Sequence, residues 1–433
     1  MRRAVLVLAI LLLAACSHRR PFIRGPHVLP VPDPARVDHR LLLIGDAGDP
    51  KPDGEPTLDL LEQRVRMAPG RTTVVFLGDN VYETGMPEPT ELEGTAVEAV
   101  LDEVLLNMFE SRRDAERRLK AQVKAVKVPG VRAIFIPGNH DWDQFGVGGF
   151  KSVLAQQAFI MELRNQAEPA DVVMLPRDGC PGPTTVDLGR RARLIILDTQ
   201  WWVDAGIGGK PEPERNPTNC PYVTEESILA ALEQEIATAT RDGREAIVVG
   251  HHPLASKGPH GGYVDPIVHL FPLTMLGSYV PFFVRWMPLP GLGSLAGFLR
   301  TNYSPSGQDF SGGKNPHLRA SLTAAMSSAT DRGARPLLYA AGHDHSLQVF
   351  EAHEGPRWTV VSGLGSSEKA SGVRHDRSTL FAHSDPLRPG LMEVDFLSDG
   401  SVRLAVIEWS ADHPTGDEVY ARELTAGPGA RPE

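Results

Sequence analysis

Short continuous apolar runs recur along the chain: Leu41–Ile44, Val74–Leu77, Ala133–Ile136, Leu194–Leu197, Ala246–Val249 and Leu337–Ala340. Each is closely followed by glycine, aspartate or histidine. Runs of this length without alternation suit strands buried on both faces. Between them lie stretches with helical spacing, Leu58–Met67, Ala96–Val126, Glu225–Thr240 and Leu318–Thr330. Strands alternating with helices predict an α/β architecture with helices packed over a central sheet. Beyond residue 357 the pattern turns strand-rich, with Trp358–Val361, Leu391–Phe396 and Val402–Ile407 and a Ser398-Asp399-Gly400 turn.

Flanking this body, residues 17–40 hold five prolines and several arginines without apolar periodicity, which predicts an extended, exposed tether. The folded domain is expected over 41–420, with 421–433 disordered. One segment breaks the pattern. Val264–Arg300, inside an insertion of about 262–316, is rich in Leu, Phe, Met and Trp yet holds five prolines and Arg285. No window of it can cross a bilayer as a helix. It is either an insertion packed on the body, or a lid or apolar patch that faces the site or lipid.

At the N-terminus Arg2 and Arg3 precede twelve apolar residues, Ala4–Ala15, the layout of a secretory leader. Twelve residues are too few to span a bilayer. The run ends in Leu13-Ala14-Ala15-Cys16, which resembles the lipobox of bacterial lipoproteins, where the chain is cut before the cysteine and its thiol takes lipid. The alternative is a plain leader with a chance cysteine. The placement of Cys16 at the end of the run favours residues 1–16 as a lipoprotein signal. The implied protein is exported and held at the cell envelope, on its periplasmic or extracellular side, by a lipid anchor on Cys16. Export also sets the redox state of Cys180 and Cys220, which are expected to pair as a disulfide instead of remaining two thiols.

The net charge of −10 speaks against a broad basic nucleic-acid surface, and no nucleic-acid partner is expected. The chemistry concentrates in five clusters directly after the apolar runs. They are Gly45-Asp46-Ala47-Gly48, Gly78-Asp79-Asn80-Val81-Tyr82, Gly138-Asn139-His140-Asp141, Gly250-His251-His252 and Gly342-His343-Asp344-His345. In open α/β sheets ligands bind beyond the carboxyl ends of strands, so five such loops can meet at one site. Their side chains are carboxylates, a carboxamide, imidazoles and a phenol, with no thiol. That donor set suits hard to borderline metals such as Fe, Zn or Mn. A lone Gly-Asp is usually a turn, and a lone His-Pro usually packs; five in series, each closing a strand, are not chance.

The order G-D-x-G, G-D-x-x-Y, G-N-H-D, G-H-x-P and G-H-D-H resembles the calcineurin-like metallophosphoesterase superfamily, and within it the purple acid phosphatases. The likeness spans roughly residues 41–410 and implies a four-layer β-sandwich flanked by helices, with the apolar insertion as extra material. It implies two metal ions, Fe(III) with Fe(II), Zn or Mn. One would be held by Asp46, Asp79, Tyr82 and His345, the other by Asp79, Asn139, His251 and His343. Where most of the superfamily has histidine two residues after the first aspartate, this chain has Gly48, and Tyr82 fills the deficit. A phenolate needs a strongly Lewis-acidic ion to form at neutral pH, and ferric iron meets that need best. Asp46, Asp79 and phenolate Tyr82 bring three negative charges against five from a ferric–divalent pair, so the site keeps positive charge for a phosphate ester.

The activity so implied is hydrolysis of phosphate monoesters, acid-phosphatase fashion, by a hydroxide generated at the metal pair. His140 would contact phosphate or act as general acid, held by Asp141. His252 stands where relatives often carry tyrosine. His260 either reaches the leaving group or lies in a surface loop. The alternatives are a phosphodiesterase or nucleotide hydrolase on the same metals, and a non-catalytic envelope binding lipoprotein. A complete ligand set weighs against the last.

Overall fold

The computed structural model describes residues 20–25, 27, 29–88, 112–143, 148–166, 171–203, 219–274, 281–304 and 306–425. The leader with Cys16, residues 96–111 of the long helical stretch and the end of the tail lie outside these residues. In chain order the first elements are β1 (Phe22–Ile23), β2 (Val37–Ile44), α1 (Pro56–Met67), β3 (Thr72–Phe76), α2 (Arg112–Val126), β4 (Arg132–Phe135), α3 (Gly149–Gln166) and β5 (Asp171–Met174). Then follow β6 (Thr184–Leu188), β7 (Ala192–Ile196), α4 (Gln200–Val203), α5 (Glu225–Arg241), β8 (Glu245–Val249), α6 (Phe282–Arg285), α7 (Leu292–Tyr303) and α8 (Asn315–Asp331). The last are β9 (Leu338–Ala341), β10 (Leu347–Glu351), β11 (Trp358–Ser362), β12 (Thr379–His383), β13 (Gly390–Leu397), β14 (Val402–Glu408) and β15 (Asp417–Glu423).

The strands form two sheets and not one central sheet. One has the order β15-β14-β13-β2-β3-β4-β5 and the other β1-β12-β10-β11-β9-β8-β7-β6. Three apolar clusters separate four layers. Leu41, Leu43, Val75, Ile134, Leu194, Ile247 and Met392 pack between the sheets. Leu42, Val74, Phe76 and Ala133 face α1, α2 and α3 on one outer side, while Ile195, Val248 and Tyr339 face α5 and α8 on the other. This is an α/β fold, a β-sandwich flanked by helices, and it explains the continuous apolar runs: successive residues of one strand serve two different cores. In the first sheet β2, β3, β4 and β5 pair in parallel, and in the second β7, β8, β9 and β11 do. The five polar loops follow β2, β3 and β4 of one sheet and β8 and β9 of the other. Among the described residues no helix is long and apolar enough to cross a membrane.

Two boundaries differ from expectation. The proline-rich N-terminal segment is not simply a tether, because Phe22 and Ile23 pair with Ala382 and Phe381 and extend the second sheet. At the other end β15 carries order to Glu423, where Arg403 pairs with it, so the 421–433 tail starts later than predicted.

Cys180 and Cys220 form a disulfide. They are 40 residues apart, and on the chain-entropy model such a closure stabilises the fold by about 3–4 kcal/mol. Cys220→Ser is therefore expected to lower the thermal midpoint of the oxidised protein while leaving its metal content unchanged. Denaturation with and without reductant, beside metal analysis, checks both halves.

Candidate metal centre

Three of the chemistry-bearing residues sit in the left-handed region of backbone space. Asp46, Asp79 and His343 have φ of 59°, 54° and 72°, and they are three of the five non-glycine residues with positive φ among those described. Each such conformation costs on the order of 1–3 kcal/mol and persists only where the surroundings impose it. Here the turn after each strand brings the side chain back over the strand ends. The glycines let the loops interlock. A Cβ on Gly48 would lie 2.4–2.5 Å from backbone atoms of Asp79, Asn80 and Val81. No histidine could stand at that position.

The side chains of the five loops gather into two joined groups. In the first, the Tyr82 hydroxyl lies 3.0 Å from Asp46 Oδ1 and 3.1 Å from His345 Nε2, and Asp46, Asp79 and His345 offer ligand atoms within 4.8 Å of one another. In the second, Asn139 Oδ1 is 2.9 Å from His251 Nε2 and 3.0 Å from His343 Nδ1, and the two ring nitrogens are 3.2 Å apart. Asp79 joins the groups, its Oδ1 lying 3.4 Å from His251 Nε2. Asp46, Asp79, Asn139, His251 and His343 are all buried.

The proton positions on the imidazoles follow from their outer partners. His251 Nδ1 faces the Leu77 carbonyl at 2.8 Å, His343 Nε2 the Gln308 carbonyl at 3.0 Å and His345 Nδ1 the Lys369 carbonyl at 2.8 Å. A carbonyl only accepts, so each of these nitrogens carries the hydrogen, and the opposite nitrogen turns a lone pair inward. Histidines that hold metal are oriented by such outer hydrogen bonds. The result is a buried set of lone pairs aimed at one another and at two carboxylates. Apposed ring nitrogens at 3.2 Å, facing two carboxylates, need a proton or a metal cation between them. Two carboxylates, a carboxamide oxygen, three imidazoles and a phenol fit a pair of hard to borderline ions.

Without metal the positive charge the site favours is a proton: burial lowers His251 and His345, but the facing Asp79 and Asp46 carboxylates outweigh it and raise both. Burial alone would raise the Asp79 carboxyl, but the facing His251 and His140 imidazoles outweigh it and hold it below the usual carboxylate range. Burial, followed by the Asp46 and Asp79 charges, pushes the Tyr82 phenol well up, so no group of the protein alone favours phenolate. Burial, followed by the neighbouring His260 and His252 and then His251, lowers His343 well below the ordinary histidine value.

The remaining predicted residues divide. His140 lies at the rim, with Nδ1 against the Glu83 carbonyl and Nε2 3.9 Å from Asp79 Oδ2. Asp141 does not hold it. The buried Asp141 carboxylate accepts instead from the backbone N–H groups of Gly138, Asn80 and Val81 and from the Asn80 amide, tying the β3 and β4 loops together. Successive side chains of a turn diverge, which is why neighbours in sequence do not meet. His252 is buried between Thr199 Oγ1 at 2.8 Å and Gln308 Oε1 at 2.7 Å, and burial, then His251, lowers it to about 3. It is a neutral brace behind His343. His260 stacks on His343 with ring centroids 4.0 Å apart, and its Nδ1 lies 2.8 Å from Asp309 Oδ1.

Gln308 and Asp309, at the far end of the insertion, escaped the sequence reading. The polar Ser306-Gly307-Gln308-Asp309 stretch after so apolar a segment was the available signal. The carbonyls of Leu77, Gln308 and Lys369 left none.

No family model matches the chain, and no curated protein does. Among solved structures, GAP50, the anchor in the inner membrane complex of Plasmodium, is similar at 16% identity and a TM-score of 0.49, over 89% of this chain and 88% of that one. A dimetal phosphatase from Danio rerio is similar at 14% identity and a TM-score of 0.40, over 90% and 99%. Likenesses this distant leave the assignment to the site's own geometry.

Proposed function

We propose that this protein is a two-metal phosphoesterase acting on phosphate monoesters, with ferric iron in the position beside Tyr82. The observation that carries this reading is the set of three imidazoles, each giving its N–H to a backbone carbonyl and its lone pair to a shared pocket lined by Asp46, Asp79, Tyr82 and Asn139. Asp46, Asp79, Tyr82 and His345 would hold one ion, and Asp79, Asn139, His251 and His343 the other. Bound metal supplies an acidified water at neutral pH and positive charge for phosphoryl oxygens. The chain's own part is orientation and proton handling. His140, anchored through Nδ1, turns Nε2 toward the pocket as a phosphate contact. His260, with Asp309 on Nδ1, keeps Nε2 for the leaving-group oxygen, in the manner of a carboxylate-oriented general acid. His252 and Gln308 hold His343 in place.

Hydrolysis of an aryl phosphate monoester against the corresponding diester, each with and without chelator, tests the reading. Turnover of the monoester that chelation abolishes supports it; faster turnover of the diester replaces it with a phosphodiesterase, and no turnover of either leaves a binding protein. Tyr82 tests the metal. A phenolate on ferric iron absorbs visible light, so iron-loaded protein should be violet to pink. Tyr82→Phe is expected to bleach that band while the iron content holds, because Asp46, Asp79 and His345 remain. Colourless wild type with bound ferric iron would remove Tyr82 from the ligand set.

A further inference from the structure

The insertion presents an apolar face that the catalytic reading does not use. Among the described residues sixteen large apolar side chains are exposed, and eleven of them fall between Ile267 and Tyr303. Phe283 is 76% exposed, Phe282 73%, Tyr303 70% and Phe298 57%, with Trp286 and Leu295 beside them. Residues 264–304 carry only three formal charges, Asp265, Arg285 and Arg300, in a chain that is 23% charged. Scattered exposed apolar residues are ordinary, but a concentration of this kind marks a contact surface.

The way α7 is docked shows that this exposure belongs to the fold. Small residues at four-residue intervals face inward: a Cβ on Gly293 would meet the Val268 carbonyl at 1.8 Å, one on Gly297 would meet Val264 at 3.1 Å, and Thr301 Oγ1 donates to the Gly262 carbonyl at 3.3 Å. The large residues Leu295, Phe298 and Tyr303 are left on the outer arc. A helix of a globular protein ordinarily packs its large apolar residues and exposes its small ones; α7 does the reverse.

We infer that this face lies in the interfacial layer of a phospholipid bilayer. The occupant is identified by where the chain enters. The first described residue is Arg20, and Phe22 stacks on His375 with centroids 3.8 Å apart. Arg24 donates to the Asp376 carbonyl at 2.8 Å, and Arg374, next along that loop, donates to the Gly262 carbonyl that also takes the Thr301 hydroxyl. The N-terminal strand and the foot of α7 therefore meet at one loop. From Cys16 to Phe22 a fully extended chain spans at most about 20 Å, so a lipid on Cys16 would bring the bilayer to this side of the molecule. Arg24, Arg374 and Arg377 stand at that junction, a basic collar on a protein of net charge −10, which suits anionic headgroups. Aromatic side chains and leucine are those that settle at the acyl–headgroup boundary. Because Arg300 of α7 pairs with Asp309 at 3.3 Å, and Asp309 with His260, the lipid-facing helix and the metal pocket share one support.

Trp286 reports on this face. The full-length protein is reconstituted with vesicles of phosphatidylcholine and phosphatidylglycerol whose acyl chains are brominated. Quenching that is present in the wild type and absent from Trp286→Phe is expected, and Phe282→Ser combined with Phe283→Ser and Phe298→Ser should abolish that difference. All three sites are exposed, and an unchanged thermal midpoint confirms that the variant folds. Two results overturn the inference: vesicle-bound wild type with no Trp286-dependent quenching, or a dimer in vesicle-free solution that the triple substitution dissolves, which would make the occupant a second copy of the chain. Lipidation of Cys16 is scored separately by flotation of Cys16→Ser, and its failure leaves the quenching result to stand or fall alone.

Discussion

Asp79→Ala is expected to empty both metal positions and to lower kcat/KM on a phosphate monoester by three or more orders of magnitude, roughly the scale of losing preorganised charge stabilisation at a reacting phosphoryl group. Asp79 is the one carboxylate that reaches both ligand groups: it faces His251 Nε2 at 3.4 Å and lies within ligand distance of Asp46 and His345. It also accepts the His140 N–H at 3.0 Å. The fold should not suffer in proportion. In the metal-free protein Asp79 crowds Asp141, whose carboxyl is raised by burial and then by the Asp79 charge, so deleting Asp79 relieves a repulsion. It also removes a carboxylate that His251 and His140 hold below its ordinary range, so the thermal midpoint of stripped Asp79→Ala should fall modestly below that of stripped wild type, and added metal should no longer raise it. Asp79→Asn is the sharper control, since an amide oxygen can still accept from His140 while the charge is gone. Two metals per chain and near-normal turnover in either variant would show that Asp79 bridges nothing.

Much of the site was legible before the fold, and the reason is local. A strand buried on both faces writes a continuous apolar run, and in three of the five loops the turn that ends it is glycine followed by a polar residue in the left-handed region. Asp46, Asp79 and His343 all stood out on that pattern, and all have positive φ. The partition into two sheets was not legible from pattern, because β3 and β8 read alike although they belong to different sheets. Resemblance supplied it. Edge strands were missed for a different reason: β6 and β15 alternate or mix polar residues and present no apolar run. The role given to Asp141 failed because adjacency in sequence stood in for adjacency in space. The supports of the three imidazoles are main-chain carbonyls, which every residue possesses, so no sequence pattern could announce them. Gln308 and Asp309 reach the pocket only because the insertion folds back on it, a tertiary fact.

Gly138→Ala should disable the site with a single methyl group, at a position that carries no chemistry of its own. An ideal Cβ there would stand 2.3 Å from Asp79 Oδ1, 2.4 Å from the Asp79 backbone nitrogen and 2.9 Å from His251 Cε1. None of these neighbours is a flexible tip. The β3 loop is tied by Asp141, which takes the N–H groups of Asn80 and Val81 as well as that of Gly138, at 3.0, 3.1 and 2.8 Å. His251 is fixed from behind by the Leu77 carbonyl. The methyl can be accommodated only by moving Asp79 and His251 apart, which separates the residues proposed to share the second ion. Overpacking of this kind costs about 1–3 kcal/mol of stability. Displacing the positioning groups by a fraction of an ångström to one ångström should cost about a hundredfold in kcat/KM. Metal affinity should weaken in parallel, so high metal concentration should restore part of the activity. Gly70→Ala is the matching control, because a Cβ there meets nothing within 4 Å and the residue lies in the turn before β3. It should leave both metal content and turnover at wild-type values. Equal activity in Gly138→Ala and Gly70→Ala would mean that the close approach of the β3 and β4 loops does not set the spacing between Asp79 and His251.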